Sequence, residues 1–135
     1  MLLSIIVPVF NEEKNIELLI KKLLKLNFSE INFDIEIIVV NDGSTDKTLE
    51  KVEKFQEITL INQKNLGKGR AVQNGIKVAK GNYILIQDGD LEYNPEDILK
   101  MCKLVETSKK ISIYGSRYKP LYFKVLPRYY INQNL

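Results

Sequence analysis

The fold is decided near the start of the chain, where an apolar run ends abruptly in polar residues: Leu3-Ser4-Ile5-Ile6-Val7-Pro8-Val9-Phe10-Asn11-Glu12-Glu13. The part from Leu3 to Val9 is typical of a strand that is covered on both faces. Similar short runs follow at Ile35–Val40, Ile58–Ile61, Tyr83–Ile86 and Ile111–Tyr114, and segments of helical period separate them. This alternation predicts βαβ units around a mostly parallel sheet, which is an α/β fold.

Four helices are predicted between these strands. The first has an apolar stripe of Ile16, Leu19, Ile20, Leu23 and Leu24, with Lys21, Lys22 and Lys25 towards water. The second covers about Lys47 to Phe55 after the N-cap cluster Ser44-Thr45-Asp46, and the third covers Gly69 to Lys80. The fourth begins at Asn94 as N-cap, with Pro95 in the first helical position and Glu96 and Asp97 in the first turn. After Gly115 the chain has no clear period, so no element is predicted there.

The composition indicates one domain and excludes several kinds of functional site. The 135 residues, 44% of them hydrophobic, suffice for one domain with a core. The 20 basic and 17 acidic residues give a net charge of +3, which lacks the excess expected of a nucleic-acid-binding protein. The chain has no histidine, which excludes histidine zinc sites and Ser-His-Asp triads. The single cysteine, Cys102, is predicted to be structural and to lie on a buried helix face with Ile98, Met101 and Val105.

The length of the apolar runs bears on the expected cellular location. None approaches the roughly 20 residues that span a bilayer, and Asn11-Glu12-Glu13 follows the first run too soon for a signal peptide. We therefore expect a cytoplasmic protein, or one that is peripheral on the cytoplasmic face of a membrane. Basic and aromatic residues alternate in the tail after Gly115, and this pattern fits an anionic membrane surface and a solvated segment equally well.

Polar residues follow three of the predicted strands: Phe10–Glu13, Asn41–Ser44 and Asp88–Glu92. The carboxyl ends of parallel strands form the ligand-binding edge of such sheets. Carboxylates crowded at one edge repel each other unless a cation compensates, and oxygen ligands select Mg²⁺ or Mn²⁺. Asn41-Asp42-Gly43 and Asp88-Gly89-Asp90 are each equally well explained, taken alone, as an ordinary Asp-Gly turn, but three polar motifs at one edge are harder to obtain from turn chemistry.

Three other phosphate-binding schemes do not fit. The dinucleotide fingerprint G-x-G-x-x-G would follow the first strand, where no glycine occurs. Gly67-Lys68-Gly69-Arg70 lacks the upstream glycine spacing and the Ser or Thr of a P-loop, and Lys68 and Arg70 are predicted to face solvent. The sugar-phosphate nucleotidyltransferases usually have a glycine-rich loop after the first strand, and this chain has none there.

Five blocks in order resemble the family 2 glycosyltransferases of the GT-A type, and among them the polyprenyl-phosphate sugar synthases such as the dolichyl-phosphate mannose synthases. The blocks are Ile6-Val7-Pro8-Val9-Phe10-Asn11-Glu12-Glu13, Val40 to Thr48, Asn65-Leu66-Gly67-Lys68-Gly69, Asp88-Gly89-Asp90 and Gly115-Ser116-Arg117-Tyr118. The resemblance implies a Rossmann-like three-layer α/β/α fold. It assigns residues 1–118 to a nucleotide-sugar-binding domain and 119–135 to the start of an acceptor-side region.

The resemblance also implies roles for individual residues. Pro8, Phe10, Glu12, Val40 and Asp42 would line the nucleoside pocket, and Asp88, Gly89 and Asp90 would form the diphosphate loop. Asp88 and Asp90, with Glu92 as a further acidic contributor, would hold Mg²⁺ or Mn²⁺, while Arg117 would contact phosphate; Asp90 and Arg117 are the residues assigned to catalysis. Phe10 stands where the family often has Tyr, Asn41 where it often has Asp, Gly89 where it often has Ala, and Glu92 where relatives often have Gln.

The implied reaction transfers a sugar with inversion from a nucleotide sugar to a polyprenyl phosphate or a glycan. GDP-mannose is the favoured donor, with UDP-glucose and UDP-N-acetylglucosamine as alternatives. Expected partners are these small molecules, a membrane surface or a partner subunit, and no nucleic acid. The alternative is a catalytically silent module that binds a nucleotide sugar or another subunit, because family members normally continue beyond the Gly-Ser-Arg-Tyr block.

Overall fold

A computed structural model of the chain describes residues 1–107 and the backbone of residues 125–127. The strands are β1 (Leu2–Val9), β2 (Asp34–Asn41), β3 (Thr59–Asn62), β4 (Tyr83–Ile86) and β5 (Val125–Pro127). The helices are α1 (Ile16–Leu24), α2 (Thr48–Val52), α3 (Lys68–Val78) and α4 (Asp97–Thr107). None of these helices, in the part of the chain described, is long and apolar enough to cross a bilayer.

The strands form one sheet in the order β3-β2-β1-β4-β5, in which the first four are parallel and β5 runs antiparallel to β4. This confirms the predicted α/β fold with a mostly parallel sheet. Val9 pairs with Asn41, and Ile6 pairs with Ile86, so the carboxyl ends of β1, β2 and β4 share one edge. The chain adds strands on one side of β1 and then returns to its other side, which places a topological switch point between β1 and β4.

The tail was predicted to have no element, and this was wrong at Val125–Pro127, which form β5. Three residues are too few to show a period in the sequence. Pro127 is tolerated because β5 is the last strand in the order, where a missing N–H interrupts no further pairing in the described sheet. The predicted strand Ile111–Tyr114 lies outside the described residues.

Helix α2 is shorter than predicted, mainly at its carboxyl end: it begins at Thr48 and ends at Val52, and the expected cap residues before it bond elsewhere. Lys47 occupies the N-cap position and makes no side-chain cap bond. Asp46 accepts a hydrogen bond from the backbone N–H of Thr48 at 2.9 Å, while Ser44 and Thr45 bond to the loop after β1. Side chains that look like caps in sequence therefore join two loops of the sheet edge.

The other helices lie within a few residues of their predicted bounds. Helix α3 begins one residue early, at Lys68, and ends at Val78. Helix α4 begins at Asp97 because Asn94 first closes a tight turn: its side-chain oxygen accepts from the N–H of Glu96 at 3.2 Å, and its carbonyl from that of Asp97 at 3.0 Å.

The core lies on both faces of the sheet, as alternating residues of β1 show. Leu3, Ile5, Val7 and Val9 pack against α1, α2 and α4, while Ile6 on the other face packs beside Ala71 of α3. Cys102 is buried in the first of these layers as predicted, and burial raises the pKa of its thiol to about 12. Leu24 was wrongly placed in the apolar stripe of α1, since it is 37% exposed at the last helical position.

Candidate functional site

A cleft of about 240 Å³ opens at the shared carboxyl edge of the strands. Its walls come from the ends of β1 and β2, the start of α3 and the loop after β4: Pro8, Val9, Phe10, Glu12, Asp42, Lys68, Asp88, Gly89 and Asp90. The cleft thus lies at the switch point between β1 and β4, where open α/β sheets bind their ligands.

The loops after β1 and β2 are tied together by side-chain hydrogen bonds, and we call residues 10–13 and 41–48 the β1–β2 rim. Asn11 adopts a left-handed backbone with φ of 53°, which lets its side-chain oxygen accept from the N–H of Thr45 at 2.8 Å. The N–H of Glu12 donates to Thr48 Oγ1 at 2.8 Å, and Glu13 Oε2 accepts from the N–H of Lys47 at 3.0 Å. These bonds hold the two loops in one arrangement.

Asp42 connects this rim to the loop before α3. Its Oδ1 accepts from Gln63 Nε2 at 2.6 Å and from the N–H of Leu66 at 2.8 Å, and its Oδ2 accepts from the N–H of Gly67 at 2.9 Å. Burial of this carboxyl, which is only 5% exposed, tends to raise its pKa, but the three hydrogen bonds outweigh burial and lower the pKa below its usual 3.8. Asp42 is therefore a charged anchor for residues 63–67.

Gly43 explains how that loop can approach so closely. Its backbone is left-handed, with φ of 74°, and a Cβ placed there would lie 2.8 Å from the backbone nitrogen of Asn65. Only glycine satisfies both conditions, so the Asn-Asp-Gly sequence has a conformational reason beyond its acidic residue.

Phe10 and Glu12 give the cleft one flat and one acidic surface. Phe10 lines the cleft and is 44% exposed, which is unusual for a phenyl side chain, and an exposed aromatic ring suits stacking against a planar ligand. The carboxylate of Glu12 lines the same cleft, and its Oε2 accepts from Asn15 Nδ2 at 3.3 Å. An exposed ring beside hydrogen-bond acceptors suits a ligand with a flat ring and N–H or O–H groups.

The other wall is the loop Asp88–Glu92, which we call the β4 rim. Asp88, Gly89 and Asp90 line the cleft, and the carboxylate of Asp88 forms an ion pair with the ammonium of Lys68. Asp90 Oδ1 accepts from the N–H of Glu92 at 3.2 Å. Two carboxylates thus face one cleft from positions two residues apart.

Gly89 lets this loop pack closely against the end of β1. Its φ is not positive, and a Cβ placed on it would lie only 2.7 Å from Val9 Cγ1 and 3.3 Å from Glu12 Cγ. The absence of a side chain therefore lets the β4 rim lie against the end of β1.

Two of the predicted site residues that the structure describes, Val40 and Glu92, are not among those that line the cleft. Val40 is fully buried beneath α3 with Ile6 and Ile38, and Glu92 is exposed beyond the cleft. Arg117 lies outside the described residues. Strand residues alternate between the two faces of a sheet, and the side chain of Val40 lies in the core layer on the α3 side. Its role in the nucleoside pocket stays a prediction.

A divalent metal was predicted at Asp88, Asp90 and Glu92. Within residues 1–107, no three Asp, Glu or Cys side chains are gathered into a metal-binding group, so Glu92 does not join the other two. Asp88 and Asp90 do share the cleft. A pair of carboxylates that leaves room for phosphate oxygens fits Mg²⁺ or Mn²⁺, which keep several ligands from water or substrate.

Lys68 was predicted to face solvent and was left out of the predicted site residues; in the structure it is exposed and also lines the cleft. It is the first residue of α3, and its ammonium forms an ion pair with the carboxylate of Asp88 in the cleft lining. The Asp42 bonds that position the preceding loop join residues more than twenty positions apart, so no local pattern indicates them. Arg70 is exposed, as predicted.

Comparison with known proteins gives the family. The model of the family described as "Glycosyl transferase family 2" matches residues 4–132. The chain is 36% identical over 127 residues to dolichyl-phosphate beta-glucosyltransferase ALG5D of Trichomonas vaginalis, covering 84% of this chain and 39% of that protein. It is 34% identical over 122 residues to dolichol-phosphate mannosyltransferase of Pyrococcus furiosus, covering 87% of this chain and 34% of that protein.

Solved structures agree on the fold. Glucosyl-3-phosphoglycerate synthase from Mycobacterium tuberculosis, in complex with Mn²⁺, UDP and phosphoglyceric acid, superposes with a TM-score of 0.68 at 23% identity, covering 84% of this chain and 42% of that one. The first curated relatives are matched over a third to half of their own length. The match of the family model over nearly the whole chain and the shared GT-A architecture confirm the predicted resemblance, and the chain belongs to glycosyl transferase family 2.

Proposed function

We propose that the chain forms the donor-binding half of a metal-dependent glycosyltransferase that moves a sugar from a nucleotide sugar to a polyprenyl phosphate, with inversion. The observation that carries this proposal is the cleft at the switch point. There, an exposed aromatic ring and two acidic side chains on one wall face two carboxylates and a lysine on the other.

The β1–β2 side would bind the nucleoside. Phe10 offers a stacking face for the base, and Glu12 offers carboxylate oxygens to its N–H groups or to the ribose hydroxyls. Both oxygens of Asp42 already accept hydrogen bonds from the protein, so Asp42 can add at most the lone pairs left on those oxygens. We infer that its first contribution is to fix the cleft wall.

The β4 side would bind the diphosphate. Asp88 and Asp90 would hold Mg²⁺ or Mn²⁺, which when bound neutralises charge that develops on the leaving diphosphate. Lys68, at the cleft mouth, adds a positive charge of the chain's own. Arg117 is proposed to contact phosphate because its forked donors suit that geometry.

The acceptor is proposed from relatives and from chemistry. Two relatives are named for dolichyl or dolichol phosphate, and a lipid phosphate is anionic near neutral pH, so it needs little help from a general base. One of these relatives is named for mannose and the other for glucose. We propose GDP-mannose as donor, with UDP-glucose and UDP-N-acetylglucosamine as the alternatives, and association with a membrane surface through the tail.

The test is a thermal-shift panel of GDP, GDP-mannose, UDP and UDP-sugars, each with and without Mn²⁺. A ligand at about 100 times its Kd adds roughly 2.7 kcal/mol to the free energy of unfolding, which moves the Tm by several degrees. We expect a Mn²⁺-dependent shift with one nucleotide family, and we expect Asp90→Ala to abolish it. The absence of a shift with every nucleotide would contradict donor binding.

Transfer is tested separately, by incubating the chain with the stabilising nucleotide sugar and a polyprenyl phosphate in detergent. We expect formation of the glycosylated lipid phosphate. Donor binding without any transfer would instead support the alternative, a catalytically silent module that binds a nucleotide sugar.

A further inference from the structure

Asp88 forms an ion pair with Lys68, and the same carboxylate is a proposed ligand of the divalent metal. Lys68 Nζ contacts Asp88 Oδ1, and both side chains line the cleft. Their side chains are 61% and 34% exposed, so the pair lies at the mouth of the cleft and is accessible to ions. A carboxylate oxygen that faces an ammonium is less available to a divalent cation, so lysine and metal compete for Asp88.

The backbone that carries Lys68 is fixed from the nucleoside side. Asp42 accepts hydrogen bonds from the N–H groups of Leu66 and Gly67, the two residues immediately before Lys68. The lysine side chain is long and exposed, whereas its Cα is anchored. Its ammonium can therefore move by rotation of the side chain alone, while its base stays beside the cleft.

The first turn of α3 has an unusual charge. It contains no acidic residue and carries Lys68 and Arg70, although the positive end of a helix dipole disfavours cations. This arrangement is costly unless an anion lies nearby. Asp88 is one such anion, and a bound diphosphate would be a second.

We propose that Lys68 is an internal counter-cation of the donor cleft: it neutralises Asp88, yields that carboxylate to the divalent metal, and then pairs with the diphosphate of the donor. This inference rests on the proposed function for its last step. Its first step concerns only the lysine, Asp88 and the metal. Lys68 thus links metal binding and nucleotide binding, each of which favours the other.

The test compares Lys68→Met with Lys64→Met in the full chain. Lys64 is an exposed cation in the loop before α3 that does not line the cleft, so its substitution removes an equal charge without touching the site. Mn²⁺ binding is measured without nucleotide, by the loss of the electron paramagnetic resonance signal of free Mn²⁺. UDP and GDP binding is measured by calorimetry without divalent metal.

We expect Lys68→Met to bind Mn²⁺ alone about threefold to tenfold more tightly, and the nucleoside diphosphate alone about tenfold more weakly, while Lys64→Met changes neither. The gain in Mn²⁺ affinity should disappear in Lys68→Met combined with Asp88→Asn. Equal behaviour of Lys68→Met and Lys64→Met would overturn the inference while leaving the proposed function intact. A wild-type chain that binds Mn²⁺ but binds neither UDP nor GDP, with or without metal, would overturn the proposed function and the pairing of Lys68 with the diphosphate. In that case, tighter Mn²⁺ binding by Lys68→Met would still support the competition between Lys68 and the metal for Asp88.

Discussion

The two walls of the cleft are built differently. The β1–β2 rim is held by hydrogen bonds between loops about 34 residues apart in the chain, and its Asp42 carboxylate is buried and accepts three hydrogen bonds from the protein. The β4 rim holds its carboxylates by one exposed ion pair and one local hydrogen bond. The wall proposed for the nucleoside is preformed, whereas the wall proposed for diphosphate and metal depends on charge that a ligand can replace.

This difference indicates which interactions stabilise each wall. Interactions within the fold set the β1–β2 rim, so damage there should lower stability and binding together. Exposed ion pairs contribute about 0–1 kcal/mol to stability, so the β4 rim can change partners at small cost. Substitutions in each rim, measured for both stability and ligand binding, therefore test whether the two walls differ in this way.

The largest effect is expected for Asp42→Ala. It leaves Gln63 Nε2 and the N–H groups of Leu66 and Gly67 without their acceptor, so we expect the free energy of unfolding to fall by about 2–3 kcal/mol. Nucleotide binding should weaken as well, since the loop before α3 loses its anchor. Urea denaturation and calorimetry measure the two effects.

The matched control is Asp34→Ala, which removes an exposed carboxylate at the opposite end of β2. It should change stability by no more than about 0.5 kcal/mol. Equal effects of the two substitutions would show that Asp42 is not an anchor.

A smaller effect is expected for Gly89→Ala, which tests the contact between the two walls. The new Cβ would lie 2.7 Å from Val9 Cγ1, so we expect a loss of about 1–3 kcal/mol and weaker nucleotide binding. Gly69→Ala is the control, since a Cβ there meets nothing within 4 Å and the residue lies in α3. It should be neutral or stabilise by up to about 1 kcal/mol, and Tm measurements on both variants decide the matter.

Acid should destabilise the β1–β2 rim. Burial of Asp42 and Asp46 raises their pKa values, but hydrogen bonds outweigh it and lower both below the usual 3.8. The unfolded chain therefore binds more protons as the pH falls, so this stabilisation is full above about pH 4 and is lost as the pH falls through the folded pKa values. Urea midpoints between pH 6 and pH 3 should fall less steeply for Asp42→Asn than for the wild type, and parallel curves would contradict the account.

The smallest change in stability is expected for Asp88→Ala. Its partner is exposed and the pair contributes about 0–1 kcal/mol, so the Tm should move by only a few degrees. Mn²⁺-dependent nucleotide binding should nevertheless be lost, which calorimetry with and without Mn²⁺ would measure. A large drop in Tm would show that the β4 rim is structural after all.

Local patterns in the sequence predicted the parallel strands, the helix starts to within a few residues and the edge at which Glu12, Asp42, Asp88 and Asp90 meet. Their binding roles stay predictions. The contacts that the sequence did not predict join residues far apart in the chain. They are the hydrogen bonds from Leu66 and Gly67 to Asp42, the ion pair between Lys68 and Asp88, and the packing of Gly89 on Val9. Strand β5 was missed because three residues carry no period, and pairing with β4 defines it.

The most direct test of a preformed nucleoside wall and a ligand-dependent diphosphate wall is calorimetric titration of nucleoside mono- and diphosphates with and without Mn²⁺. We expect Mn²⁺ to tighten binding of GDP or UDP by about tenfold or more and to change the affinity for the matching monophosphate by less than about threefold. Equal enhancement of both ligands by Mn²⁺, or of neither, would contradict this expectation.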